Sequence, residues 1–360
     1  MNYVFRCDAN TQVGLGHFTR CLTLANALKK IAALDETNIN CIFIMAEPSV
    51  DINLNIKKSQ HQLLTIKTPS DGEFNNNIDA NNCIEELKNE NITPNWIIID
   101  QYQLTPTWWQ NFNKSSTKLM LLNDPGLAIE GIDCIWDPAA TNADVYSALS
   151  NRPILLLGPE YILLRPEFLS QTRSYQTPEV NEKINILISI GATDPLNTGG
   201  KLIYWLLELM PNLNITLMGT SSNPHIKRLK STFKNSINFE INSQCIAKIM
   251  TKQHLIITAA GNMLWEAFSL GVPCAIVKTC ENQQRNINLV TNVMEGIYLG
   301  EELTLNKQAV VHTLLTLIKH KDKLSLLSDL AHKLCDGAGS LRVAKSLLAS
   351  QKPSKEGKHD

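Results

Sequence analysis

Gly14-Leu15-Gly16-His17-Phe18-Thr19-Arg20-Cys21 comes after the apolar run Tyr3-Val4-Phe5, and it reads as a strand running through a glycine turn into a helix. Far downstream, Ala259-Ala260-Gly261-Asn262-Met263-Leu264-Trp265-Glu266 follows Leu255 to Ile257 in the same way. Glycine lets backbone N–H groups approach an anion closely, and the helix behind such a turn presents the positive end of its dipole. One such turn is weak evidence, but two, one in each half, point to a nucleotide held in a cleft between two α/β domains, with His17 facing it. A third turn of this kind, Gly191-Ala192-Thr193-Asp194, follows the apolar run 186–190.

Working outward, apolar runs alternate with amphipathic stretches. Strands are expected at 2–7, 40–46, 62–66, 96–100, 118–122 and 154–157 in the first half. In the second they are expected at 184–190, 214–218, 237–240, 254–258, 273–278 and 297–299. Helices are expected at 17–33, 77–89, 105–112 and 142–149, then at 196–209, 224–233, 244–250, 262–269, 282–294 and 305–319. Cys21, Leu22, Leu24, Ala25 and Leu28 form an apolar stripe at helical spacing, as do Leu202, Ile203, Leu206 and Leu209. Strand–helix alternation of this kind implies parallel sheets with right-handed crossovers. The fold class is therefore α/β, with two Rossmann-like domains. The polar, proline-bearing stretch 166–183 separates a first domain over 1–165 from a second over 184–350. The charged tail 351–360 is expected to be disordered.

The chain has 360 residues, too many for a typical single core. A net charge of −1 gives no reason to expect nucleic acid or an anionic membrane as partner. No apolar run is long enough to span a bilayer, and the first residues show no export signal. Nine scattered cysteines without a Cys-x-x-Cys pair argue against a disulfide framework or a zinc site and for a cytoplasmic protein. No metal ligand set and no cofactor site is read from the sequence.

His17, at a helix start, can act as general base or donate to a phosphate; the plain alternative is a capping or surface histidine. Asp100 and Tyr102 end the run Trp96-Ile97-Ile98-Ile99, at the edge where open α/β sheets build their sites. Asp100 could instead cap the helix expected at 105–112, with Tyr102 packing locally. After Gly191, Asp194 or Asn197 can cap the next helix, so the Gly191 backbone is the better candidate for ligand contact. Glu266 lies in the first turns behind Gly261, where a carboxylate can accept from ribose hydroxyls while the N–H groups of 261–264 hold a diphosphate. Asn282, in Glu281-Asn282-Gln283, can hydrogen-bond sugar hydroxyls and acetamido groups without adding charge.

The order Gly-x-Gly-His-x-x-Arg-Cys-Leu-x-Leu-Ala (14–25), Asp-x-Tyr (100–102), Leu-Leu-Gly-Pro-Glu-Tyr-x-Leu-Leu-Arg-Pro-Glu-Phe (156–168), Gly-x-x-Asp (191–194), Ala-Gly-x-x-x-Trp-Glu (260–266), Leu-Gly-Val-Pro (270–273) and Glu-Asn-Gln (281–283) resembles the UDP-2,4-diacetamido-2,4,6-trideoxy-β-L-altropyranose hydrolases of pseudaminic acid biosynthesis. The likeness runs from about residue 1 to about 340. Those enzymes are similar to the MurG-type glycosyltransferases. The resemblance implies a GT-B fold, with two domains facing across a cleft and UDP held mostly by the second. It also implies metal-independent hydrolysis of the UDP-sugar, with inversion at the anomeric carbon. By this resemblance His17 is the catalytic base, Tyr102, Asn282 and Arg165 line the substrate cleft, and Glu266 binds the nucleotide; Gly14, Gly16, Asp100, Gly191, Gly261 and Asn262 are expected from their own positions to complete the substrate site. The chain departs from the family pattern at Asn262-Met263, where a hydroxyl residue is usual, at Asn123-Asp124, often two aspartates, and at Ala192, usually glycine.

Overall fold

Trp96-Ile97-Ile98-Ile99-Asp100 is buried along its whole length. That is the signature of a central strand in a parallel sheet covered on both faces. In the computed structural model, which describes residues 1–9, 16–67, 74–112, 116–169, 175–179, 182–210 and 213–350, this strand lies in the middle of the first of two units. The first unit comprises Met1–Arg165 together with the chain from Ala338 onward; the second is Pro166–Gly337.

The first unit holds strands β1 (Asn2–Cys7), β2 (Asn40–Ala46), β3 (Gln62–Ile66), β4 (Trp96–Asp100), β5 (Lys118–Leu122), β6 (Cys134–Asp137) and β7 (Ile154–Leu157). All neighbours are parallel, in the order β3-β2-β1-β4-β5-β6-β7. Alternation along each strand sorts the core into two layers. Tyr3, Phe5 and Cys7 of β1 and Trp96 and Ile98 of β4 pack under the helix Gly16–Leu34, against Cys21, Leu24 and Leu28. Val4, Ile97 and Ile99 face the other way, toward Ala80, Cys83 and Leu87 of the helix Asn76–Asn89. Asp100, next in step after Trp96 and Ile98, is thereby aimed at the face that carries the helix Gly16–Leu34.

The second unit holds β8 (Ile184–Ser189), β9 (Leu213–Gly219), β10 (Asn238–Ile241), β11 (Leu255–Ala259), β12 (Cys274–Lys278) and β13 (Ile297–Glu301). They too are parallel, in the order β10-β9-β8-β11-β12-β13. In each sheet the chain reverses its direction of winding once, between β1 and β4 and between β8 and β11. Ligands of open α/β sheets bind beyond the carboxyl ends of the strands at such a switch point. The segments around His17, Asp100, Gly191 and Gly261 follow β1, β4, β8 and β11, the four strands that flank the two switch points.

Three expectations need correction. The segment 142–149 forms only a single 3₁₀ turn, Asp144–Tyr146. The second domain does not run to residue 350. The helix Gly339–Ala349 belongs to the first unit, where Val343, Ala344, Leu347 and Leu348 join the core under Gly16–Leu34. Gly339 permits this return, because a Cβ there would lie 2.3 Å from the Ile162 carbonyl oxygen. The first unit's opening segment ends at Arg165, and the stretch after it is not all linker: Pro166–Leu169 is helical, with Phe168 buried. The tail 351–360 lies outside the described residues, as does Gly14.

Candidate active site

The first turn of the helix Gly16–Leu34 places His17 and Arg20 one above the other, both buried on the face toward the sheet. Asp100 meets them from the end of β4. His17 Nδ1 lies 2.6 Å from Asp100 Oδ1. Arg20 forks onto the same carboxylate, Nε donating to Oδ2 at 2.5 Å and Nη2 donating to Oδ1. Its remaining nitrogen, Nη1, donates to Asp124 Oδ2 at 2.6 Å. The Tyr102 hydroxyl donates to the same Asp124 oxygen at 2.7 Å. The phenol ring stands edge-on to the imidazole, with centroids 4.7 Å apart. Trp136 lies against the guanidinium, 5.4 Å from ring centroid to Cζ. Exposure rises along this chain of contacts, from Asp100 at 1% to Tyr102 at 51%.

Burial alone pushes the Asp100 carboxyl up, but the charge and hydrogen bonds of Arg20 and the bond to His17 outweigh it and bring it down to about 2. Asp100 is therefore an ionised, acceptor-only group at neutral pH. An acceptor 2.6 Å away requires Nδ1 to carry the proton. Arg20 Nη2 also lies 3.0 Å from Nδ1. A guanidinium only donates, and Nδ1 cannot accept in the ring plane while it donates there, so the shorter contact to the carboxylate decides. Nε2 is then the basic nitrogen, and no described residue bonds to it. Burial and the neighbouring Asp124 raise the Tyr102 hydroxyl, which stays a donor.

This alters the expected role of Asp100. It does not cap the next helix, Pro106–Trp109, whose N-cap Thr105 makes no side-chain cap bond of its own and donates its N–H to Asn76 Oδ1. Asp100 Oδ1 meets His17 and Arg20, and Oδ2 accepts from Arg20 and from the Cys21 thiol. Arg20 and Asp124 were not singled out by sequence reasoning. Arg20 was visible as the residue one turn beyond His17, and the even-numbered alignment of Trp96, Ile98 and Asp100 was the signal that the carboxylate faces that helix. Gly16 is exposed at the helix start, and Arg165, partly buried, ends the first segment of the first unit.

In the second unit the two glycine turns differ. Gly191 has φ +94° and open space where a Cβ would stand, a backbone that favours glycine. The helix behind it, Thr198–Leu209, is already capped: Asp194 accepts from the N–H groups of Thr198 and Gly199 at 2.7 and 2.9 Å. Its positive end is occupied. The helix Asn262–Ser269 starts at Gly261 with no side-chain cap. Leu264 N–H turns back to the Gly261 carbonyl at 3.1 Å, which removes it from the donors expected over 261–264. Asn262 is exposed beside this turn, and Glu266 is buried on the helix behind it. Asn282 is exposed in the 3₁₀ turn Glu281–Gln283, its Oδ1 2.9 Å from the Cys280 thiol. Beside it a cavity of about 150 Å³ opens among Lys278, Glu281, Glu301 and Glu302. Among the described residues no cluster of His, Cys, Asp and Glu side chains forms a metal site, and no helix is long and apolar enough to cross a membrane.

With both units described, known structures place the fold. MurG of Acinetobacter baumannii superposes with a TM-score of 0.70 at 12% identity, over 97% of this chain and all of that one. The fold is GT-B. The GT-B chain is also 25% identical over 298 residues to the UDP-2,4-diacetamido-2,4,6-trideoxy-β-L-altropyranose hydrolase of Campylobacter jejuni, covering 79% of this chain and 94% of that protein. The likeness read from the motifs thus extends along most of the chain. An uncharacterized protein of Methanocaldococcus jannaschii is 29% identical over 293 residues, and the match spans only 55% of that longer protein. No family model matches the chain.

Proposed function

We propose that this GT-B protein is a metal-independent hydrolase that releases UDP and free sugar, with inversion, from UDP-2,4-diacetamido-2,4,6-trideoxy-β-L-altropyranose. The observation that carries the reading is the Asp100–His17 pair at the switch point of the first sheet. A buried carboxylate on Nδ1 leaves Nε2 as a base, the arrangement that proton abstraction from water needs. In the proposed reaction His17 Nε2 takes a proton from water, and the oxygen attacks the anomeric carbon. The bond from that carbon to the UDP oxygen breaks, and its electron pair leaves with the diphosphate. Attack on the face opposite the leaving group inverts the centre. UDP leaves readily, so the site has less need of an acid for the departing oxygen than an ordinary glycosidase has. The uncapped helix start at Gly261 offers N–H groups and a dipole to the diphosphate as its charge grows. Glu266 is assigned to the ribose, the Asn262 amide to the diphosphate, and Asn282 to the sugar. Gly16, Tyr102, Arg165 and Gly191 complete the proposed lining, with Gly14 in the loop before Gly16. The absence of any disulfide among the nine cysteines fits a cytoplasmic enzyme.

A second reading is favoured by the likeness to MurG: the same base could deprotonate a sugar hydroxyl, making the protein a glycosyltransferase. UDP release from the diacetamido sugar nucleotide, measured with and without an acceptor, separates the two. Release in water alone supports hydrolysis. Release only with an acceptor supports transfer and ends the hydrolase reading.

A further inference from the structure

An arginine one turn after the catalytic histidine of a nucleotide-sugar enzyme would ordinarily be taken for a diphosphate ligand. The contacts of Arg20 point elsewhere. Its Nε and Nη2 are spent on the two oxygens of Asp100, and Nη1 reaches Asp124. The group is 8% exposed and stacked beside Trp136. Its geometry is a fork laid side-on to a carboxylate, which fixes the plane of that carboxylate as well as its charge. The fixed plane is what keeps Asp100 Oδ1 in line with His17 Nδ1.

We propose that Arg20 is the positioning residue of this site: it presents Asp100 to His17, so that the imidazole is held in the tautomer with Nδ1 protonated and Nε2 open. This rests on the reading of His17 as the base. Among the described residues, three charged or titratable side chains contact the imidazole or its carboxylate, and a fourth holds two of these three in place. They are Arg20 and Cys21 on the helix Gly16–Leu34, Tyr102 after β4, and Asp124 after β5. Of these only Arg20 touches both His17 Nδ1 and Asp100. A lysine at position 20 keeps the positive charge but, as a point donor on a flexible stem, cannot lie along both carboxylate oxygens.

The test combines kinetics, UDP binding and imidazole ¹⁵N spectroscopy on the full chain. In Arg20→Lys and Arg20→Met, kcat is expected to fall ~10–100-fold, while UDP affinity by calorimetry stays within about twofold of the parent. If UDP affinity falls in step with kcat, or lysine restores turnover, Arg20 is a phosphate ligand or a plain counter-charge and the proposal fails. The ¹⁵N shifts of His17 give a readout independent of activity. The parent is expected to show the Nδ1–H tautomer, and the variants a mixture. A parent in the Nε2–H form, or variants with an unchanged tautomer, overturns the proposal even if a variant folds poorly. If the parent cleaves no UDP-sugar at all, the hydrolase reading fails, and the spectroscopic arm still decides what Arg20 does.

Discussion

Replacing Asp100 with asparagine keeps the shape of the side chain and removes its charge, so it isolates what the carboxylate contributes. In the folded chain this carboxyl is held down from 3.8 to about 2, net of the burial that opposes its ionisation. At ~1.4 kcal/mol per unit, the difference amounts to roughly 2 kcal/mol of stability at neutral pH. The sign follows from the unfolded state, which holds the proton more tightly. The contribution is complete above the unfolded pKa and is lost as pH falls through the folded one, with about half left at pH 3. Asp100→Asn should therefore unfold at lower urea than the parent at pH 7, with a gap of roughly 2 kcal/mol that narrows toward pH 3. Tryptophan fluorescence is a suitable probe, since four of the six tryptophans (96, 108, 109 and 136) lie in the first unit. The same variant should lose at least ~10²-fold in kcat, because an amide does not enforce the Nδ1–H tautomer. A stability gap of equal size at pH 7 and pH 3 would mean that packing, not charge, holds this carboxylate in place, and the assignment of its role would fall with it.

His17→Ala should lower kcat by at least ~10²-fold with UDP affinity nearly unchanged; near-normal turnover in a steady-state assay removes it as the base. Glu266→Ala should weaken UDP binding by roughly 1.5–3 kcal/mol, the range for a hydrogen bond to a charged group; unchanged affinity by calorimetry assigns the carboxylate to the helix rather than the ribose. Hydrolysis should run at full rate in excess EDTA, because the chain has no Asp-x-Asp pair and the helix start at Gly261 offers N–H donors to the diphosphate. Activity lost on chelation and restored by Mg²⁺ or Mn²⁺ refutes this.

The strands were the most legible part of the sequence, because a strand buried on both faces must be a continuous apolar run, as at Trp96–Ile99 and Leu255–Ile257. Cys134–Asp137 was missed: four residues give no periodicity to read. The helix Gly339–Ala349 was not expected, and its residues were counted with the second domain, since what they pack on is set by tertiary contacts that local pattern does not encode. At the site, residue types and strand ends were readable, and they placed His17, Asp100 and Tyr102 at one sheet edge. The partnership was not read. That the carboxylate turns toward the helix, and that Arg20 closes on it, depends on the register of β4 beneath the helix Gly16–Leu34. Asp194 shows the converse, where the ordinary capping reading was the right one.

Because the helix Gly339–Ala349 completes the core beneath the His17 helix, the order of synthesis bears on when the first unit can finish folding. The second unit is contiguous and can finish folding on the ribosome, whereas the unit with His17 must wait until the helix Gly339–Ala349 has emerged behind it. Until then Leu24, Leu28 and Ile31 lack Val343 and Leu347 as neighbours in the core. A premature stop just before Ala338 would spare every residue assigned to chemistry and still abolish the domain that holds His17.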